Sequence, residues 1–79
     1  MAPRIKNIPG PFRLYFVSAD CSEPPHIHVV RERMRAKFWL EPIELFSQSG
    51  FRAHELREIE RLIRERHSEI MEAWHEHCG

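Results

Sequence analysis

The chain has 79 residues, is 42% hydrophobic and 30% charged, and balances 12 Lys/Arg against 12 Asp/Glu for a formal net charge of zero. This length holds one small domain with a modest core, and the composition is too apolar for intrinsic disorder. The charge balance excludes a uniformly basic nucleic-acid binder but leaves room for a local basic patch. No stretch approaches the ~20 apolar residues of a membrane span. The opening Met1-Ala2-Pro3-Arg4-Ile5-Lys6 lacks the apolar run of a signal peptide. Cys21 and Cys78, the only cysteines, are too few for the disulfide framework usual in a small secreted domain, so a cytoplasmic, reducing location is expected.

The N-terminal part reads as strands within residues 12–46 and the C-terminal part as helix within 52–78, a single α+β domain over 1–79. Phe12-Arg13-Leu14-Tyr15-Phe16-Val17 alternates as a first strand, and a polar loop follows from Ser18 to Pro25. A second strand runs from His26 to Arg31 and a third from Met34 to Leu40, joined by a tight turn at Glu32-Arg33. That turn lacks the Asn-Gly or Asp-Gly chemistry of a good hairpin. Pro42 ends the third strand, and Ile43 to Phe46 reads as a short extended or edge piece. From Ala53, the residues Leu56, Ile59, Leu62, Ile63, Ile70, Met71 and Trp74 fall on one helical stripe. His67 interrupts it, so one rod and two helices meeting near Arg66 are both open.

Strand alternation sorts the side chains into two faces. Phe12, Leu14, Phe16, Ile27, Val29, Met34, Ala36, Phe38 and Leu40 share a face without charge, expected to meet the helix stripe. Arg13, Tyr15, Val17, His26, His28, Val30, Arg35, Lys37 and Trp39 share the other, which is basic and aromatic and has no carboxylate in these strands. A turn centred on Glu32-Arg33 sets His28 opposite Lys37 and His26 opposite Trp39.

Glu23-Pro24-Pro25-His26-Ile27-His28-Val29 is the focus of this face. One reading makes Arg13, Tyr15, Arg35, Lys37 and Trp39 a nucleic-acid surface, with cations on phosphates and rings on unpaired bases. His26 and His28 are then candidate catalytic residues, a general acid and base that need no metal or other cofactor. In a second reading the same pair binds a metal with Cys21, or with His75 and Cys78. A third leaves the motif structural: the prolines set the strand entry, and a histidine nitrogen bonds a loop carbonyl or Asp20. A fourth makes Tyr15 and Trp39 anchors for a protein partner, or an edge at the first or third strand a site of strand addition.

Arg13-Leu14-Tyr15-Phe16, Pro24-Pro25-His26-Ile27-His28-Val29 and Phe38-Trp39-Leu40-Glu41-Pro42-Ile43 resemble the domain-of-unknown-function 4160 family of small bacterial proteins. The resemblance continues through Gly50-Phe51, Glu55-Leu56 and Glu72-Ala73-Trp74-His75-Glu76-His77. It implies one half of a two-gene module, suspected to be a toxin–antitoxin pair, whose partner is a domain-of-unknown-function 2442 protein encoded by a neighbouring gene. The expectation is thus a toxin that acts on or binds RNA or another nucleic acid. The alternatives are a non-catalytic accessory protein that docks a partner through the same face, or a metal-binding protein. Self-association into a homo-oligomer is left open. The chain departs from the family's pattern at Cys78, where relatives tend to have an aromatic, and at Arg31 to Arg35, which lacks the glycine of many relatives.

Overall fold

The computed structural model describes residues 11–17 and 21–79. The opening segment and Asp20, named above as a partner for a histidine, lie outside the described residues. Four strands precede two helices: β1 (Arg13–Tyr15), β2 (His26–Arg31), β3 (Met34–Leu40), β4 (Ile43–Ser49), α1 (Ala53–Glu65) and α2 (His67–Cys78). The strands form one antiparallel sheet in the order β1-β2-β3-β4. The architecture is the expected α+β, and the fourth strand runs to Ser49 rather than stopping at Phe46.

The β2–β3 ladder pairs His26 with Trp39, His28 with Lys37 and Arg31 with Met34, the register that a two-residue turn at Glu32-Arg33 imposes. With no glycine there, Glu32 itself takes the left-handed backbone conformation, at φ 55°. Leu40 N–H adds a bond to Pro25 carbonyl at 3.0 Å, which extends the ladder to the strand entry.

One face of the sheet carries the core. Phe12, Leu14, Phe16, Ile27, Val29, Ala36, Phe38 and Leu40 are buried against Phe51, Ile59, Leu62, Ile63, Ile70 and Trp74, with Met34 and Leu56 packed at the margin. Burying each such aliphatic or aromatic side chain contributes about 1.5–3 kcal/mol, the main favourable term in a chain this short.

The helical stripe is divided at Arg66. The backbone hydrogen bonds continue through the break, Arg66 N–H to Leu62 carbonyl at 3.0 Å and Ile70 N–H to Arg66 carbonyl at 2.9 Å. Arg66 leaves helical geometry at φ −111°, ψ 17°. His67 explains why a polar residue interrupts the apolar stripe. Its Nε2–H donates to Leu40 carbonyl at 2.7 Å and ties the helix junction to the end of β3. At the other end of α1, Glu55 accepts from Arg52 N–H at 2.9 Å and from Arg31 Nη1 at 3.1 Å. The helix start is thereby fixed to β2.

Both cysteines are joined in a disulfide, Cys21–Cys78, across a sequence separation of 57. A low cysteine count thus goes with a bonded pair, where the count had pointed to a reducing location. No helix among the described residues is long and apolar enough to cross a membrane.

Gly50 is at φ 92°, and a Cβ built on it would lie 2.9 Å from Met34 Cγ. Gly50→Ala is expected to destabilise the fold by about 1–3 kcal/mol through strain and overpacking. Glu32→Gly should stabilise it by about 0.5–1 kcal/mol, because glycine adopts positive φ without steric cost. Urea denaturation midpoints at unchanged slope check both.

Candidate nucleic-acid interface

The outer sheet face is laid out in cross-strand rows. Arg13, Val30, Arg35 and Ser49 make one row, and Tyr15, His28, Lys37 and Ser47 the next. His26, Trp39 and Glu44 make the third. Between the last two rows the β3–β4 register shifts at Lys37/Phe38. The extra residue of this bulge is Phe46, 57% exposed.

The rings form a continuous chain across all four strands. Tyr15 stacks on His28 with centroids 5.3 Å apart and planes at 22°. His28 meets His26 edge-on at 5.2 Å, and His26 meets Trp39 edge-on at 5.6 Å. Trp39 then meets Phe46 at 5.1 Å. Lys37 Nζ lies 4.9 Å from the Trp39 centroid and 4.8 Å from that of Phe46. This is cation–π range for both rings. Tyr15, His28, Lys37 and Trp39 are half-buried, whereas Arg13 and Arg35 are exposed. His28, Arg35, Lys37, Ser47 and Ser49 line a shallow depression on this face.

The two histidines are not equivalent. His28 keeps part of its surface, as an outward-facing strand residue should. His26 was expected to face outward beside it, and it is fully buried. The cause is the end of α2, which brings Trp74 against the His26 ring at 5.4 Å while Phe16 meets the same indole at 5.4 Å. His26 Nδ1–H donates to Pro24 carbonyl at 2.8 Å. The Pro-Pro-His element is therefore locked as the structural reading described, through a loop carbonyl.

All the expected surface residues share this face, yet they fall into two groups. Tyr15, His26, His28, Lys37 and Trp39 form the connected ring chain, and Arg13 and Arg35 flank it one row away. The face has more acid than the first three strands implied. Glu23 Oε1 reaches Lys37 Nζ at 2.6 Å from the preceding loop, and Glu44 stands opposite Trp39 on β4. Phe46 went unnoticed in the sequence, although alternation counted from Ile43 places it on the outer face. Glu23 left no such signal, because its reach depends on how the Pro24-Pro25 loop folds back.

The grouping of side chains able to hold a metal among the described residues is Cys21, His77 and Cys78, which includes neither His26 nor His28. The histidine beside the Cys21–Cys78 pair is His77 rather than His75.

The fold and face define a small α+β protein whose distinguishing surface is a cation–aromatic sheet. Residues 12–75 match the family model described as "Domain of unknown function (DUF4160)", and the chain belongs to that family. No curated protein matches the chain, and no solved structure does.

His26→Ala removes a fully buried ring together with its bond to Pro24 and should cost about 2–4 kcal/mol. His28→Ala, at a half-exposed site, should cost under about 1 kcal/mol. Chemical denaturation followed by tryptophan fluorescence separates them; equal losses would contradict the assigned burial.

Proposed function

We propose that this protein is the toxic component of a two-protein bacterial module, cytoplasmic and held by a partner from a neighbouring gene, and that its outer sheet face binds single-stranded RNA. One observation carries the reading: rings from β1, β2, β3 and β4, each partly exposed except the buried linking ring of His26, form one connected row, with arginines along its flank. Unpaired bases stack on such rings whatever their sequence, and each base–ring stack is worth about 1–3 kcal/mol. Arginines one row away suit the phosphates of a strand whose bases lie on the rings.

The face supports binding better than cleavage. General acid–base chemistry needs both imidazoles within reach of the scissile phosphate. His26 is buried under Trp74 with Nδ1 engaged. His28 is accordingly the histidine that touches RNA, and His26 is a positioning residue that holds the ring chain in place.

A second reading, docking of the partner protein on this side, is favoured by the outermost strand. β4 is exposed from Glu44 to Ser49 and presents Leu45 and Phe46 at 37% and 57% exposure. Exposed apolar side chains on an edge strand are typical anchors for a protein partner.

Fluorescence anisotropy with a short unstructured RNA tests the proposal. Trp39→Ala should weaken binding ~5- to 150-fold, the loss of one base stack. Arg35→Ala should weaken it modestly and reduce the slope of log K against log salt by ~0.7, the value for one phosphate contact on a single strand. Induction of this chain alone should slow growth, and co-expression of the neighbouring gene should relieve it. RNA binding indifferent to both substitutions, with partner binding lost in Phe46→Ser, would replace the RNA reading with the docking one.

A further inference from the structure

The end of α2 carries a group of side chains that the RNA surface does not use. Cys21, His77 and Cys78 each offer a ligand atom, and these atoms lie within 4.8 Å of one another. We propose that, once the disulfide is opened, Cys21, His77 and Cys78 form a zinc site that keeps the same two chain segments tied together.

The donor set suits the metal. Two thiolates and an imidazole are soft-to-borderline ligands that favour zinc over the hard cations. Tetrahedral zinc with bonds of about 2.0–2.3 Å holds its ligand atoms about 3.3–3.8 Å apart, so the two sulfurs must part from bonding distance once the disulfide opens while the imidazole closes in by up to about 1 Å. His77 is held in place. Its Nε2–H donates to Val17 carbonyl at 3.0 Å, and its ring stacks on Phe16 at 5.7 Å with planes at 18°. In that tautomer Nδ1 carries the lone pair, and a carbonyl bond at the far nitrogen is the usual support of a metal-bound histidine. Water takes the fourth position.

The conversion balances. A dithiol reductant attacks the exposed Cys21 side of the disulfide and leaves as its own disulfide. The Cys21–Cys78 bond gains two electrons and two protons and becomes two thiols. Zinc then displaces both thiol protons as it takes the thiolates. The chemistry is independent of RNA binding, but its position matters to that face. Trp74, which covers His26, lies one helical turn before Cys78, so either form of the tie holds the indole over the histidine.

Cobalt is the probe, because thiolate-to-cobalt charge-transfer bands report sulfur ligation directly. Full-length protein reduced with a phosphine should bind one equivalent of cobalt with those bands, and zinc should displace it. Oxidised protein and Cys78→Ser should show none. His77→Ala should retain the bands and weaken binding about tenfold or more, in line with losing a ligand. Circular dichroism accompanies each titration; if reduction or Cys78→Ser unfolds the chain, recovery of helix on adding zinc to reduced wild type supports the site. Reduced protein that shows no thiolate–cobalt bands, or affinity unchanged in His77→Ala, overturns it.

Discussion

The two-residue turn at Glu32-Arg33 is the constraint on which the outer face depends. A strand has a side-chain period of two, so a slip of one residue in β3 would send Lys37 and Trp39 into the core and Ala36 and Phe38 to the surface. The paired register prevents this by burying Ile27 against Phe38 and Val29 against Ala36 on the same ladder. Core and surface are thus two aspects of one alignment. The energy that fixes it is on the apolar side, and the chemistry it positions is on the other. Glu32 adopts a positive φ to complete the turn, a local cost set against the burial of a whole sheet face.

The second determinant is the path of α2. After the break at Arg66, where His67 reaches the end of β3, the helix places Trp74 at the junction of the core and the outer face. This indole touches Phe16 from the core and His26 from the ring chain. The two faces are therefore joined at one end of the sheet rather than separated throughout. Past Trp74, His77 holds Val17 carbonyl and Cys78 holds Cys21. Three successive ties to the sheet side of the molecule explain why the last turn of α2 is helical to Cys78.

Much of this was legible in the sequence because it follows from period alone. The inner-face set from Phe12 to Leu40 and the stripe from Ile59 to Trp74 are the observed core, and the pairings of His26 with Trp39 and His28 with Lys37 follow from an even turn. What escaped is what period does not encode. Alternation says that His26 points away from the inner face; it cannot say that Trp74, 48 positions further on in the sequence, covers that spot. The bulge at Phe46 is a break in the period and so is invisible to it. The Cys21–Cys78 bond depends on where a loop and a helix end meet, which a cysteine count cannot reveal. Length and composition bear on whether a fourth strand exists, but polar Ser47-Gln48-Ser49 gave no apolar alternation by which to extend it.

The distribution of charge on the outer face gives the proposed interface a direction. Lys37 is the central cation, and it is already occupied: Glu23 holds it at 2.6 Å while two rings cover its flanks. A phosphate placed there would compete with a carboxylate in contact with the same ammonium. Glu44 on the β4 side, opposite Trp39, adds a second repulsive charge. Arg13 and Arg35, in the row through Val30, have no ion pair among the described residues and stand exposed. In the proposed complex an RNA backbone would run along the arginine row, with its bases turned toward His28, Trp39 and Phe46. The acidic margin would keep the phosphates of such a strand off the ring chain. On this proposal Lys37 would stiffen Trp39 and Phe46 as a stacking platform, and the phosphates would be neutralised by the arginines that no carboxylate engages among the described residues.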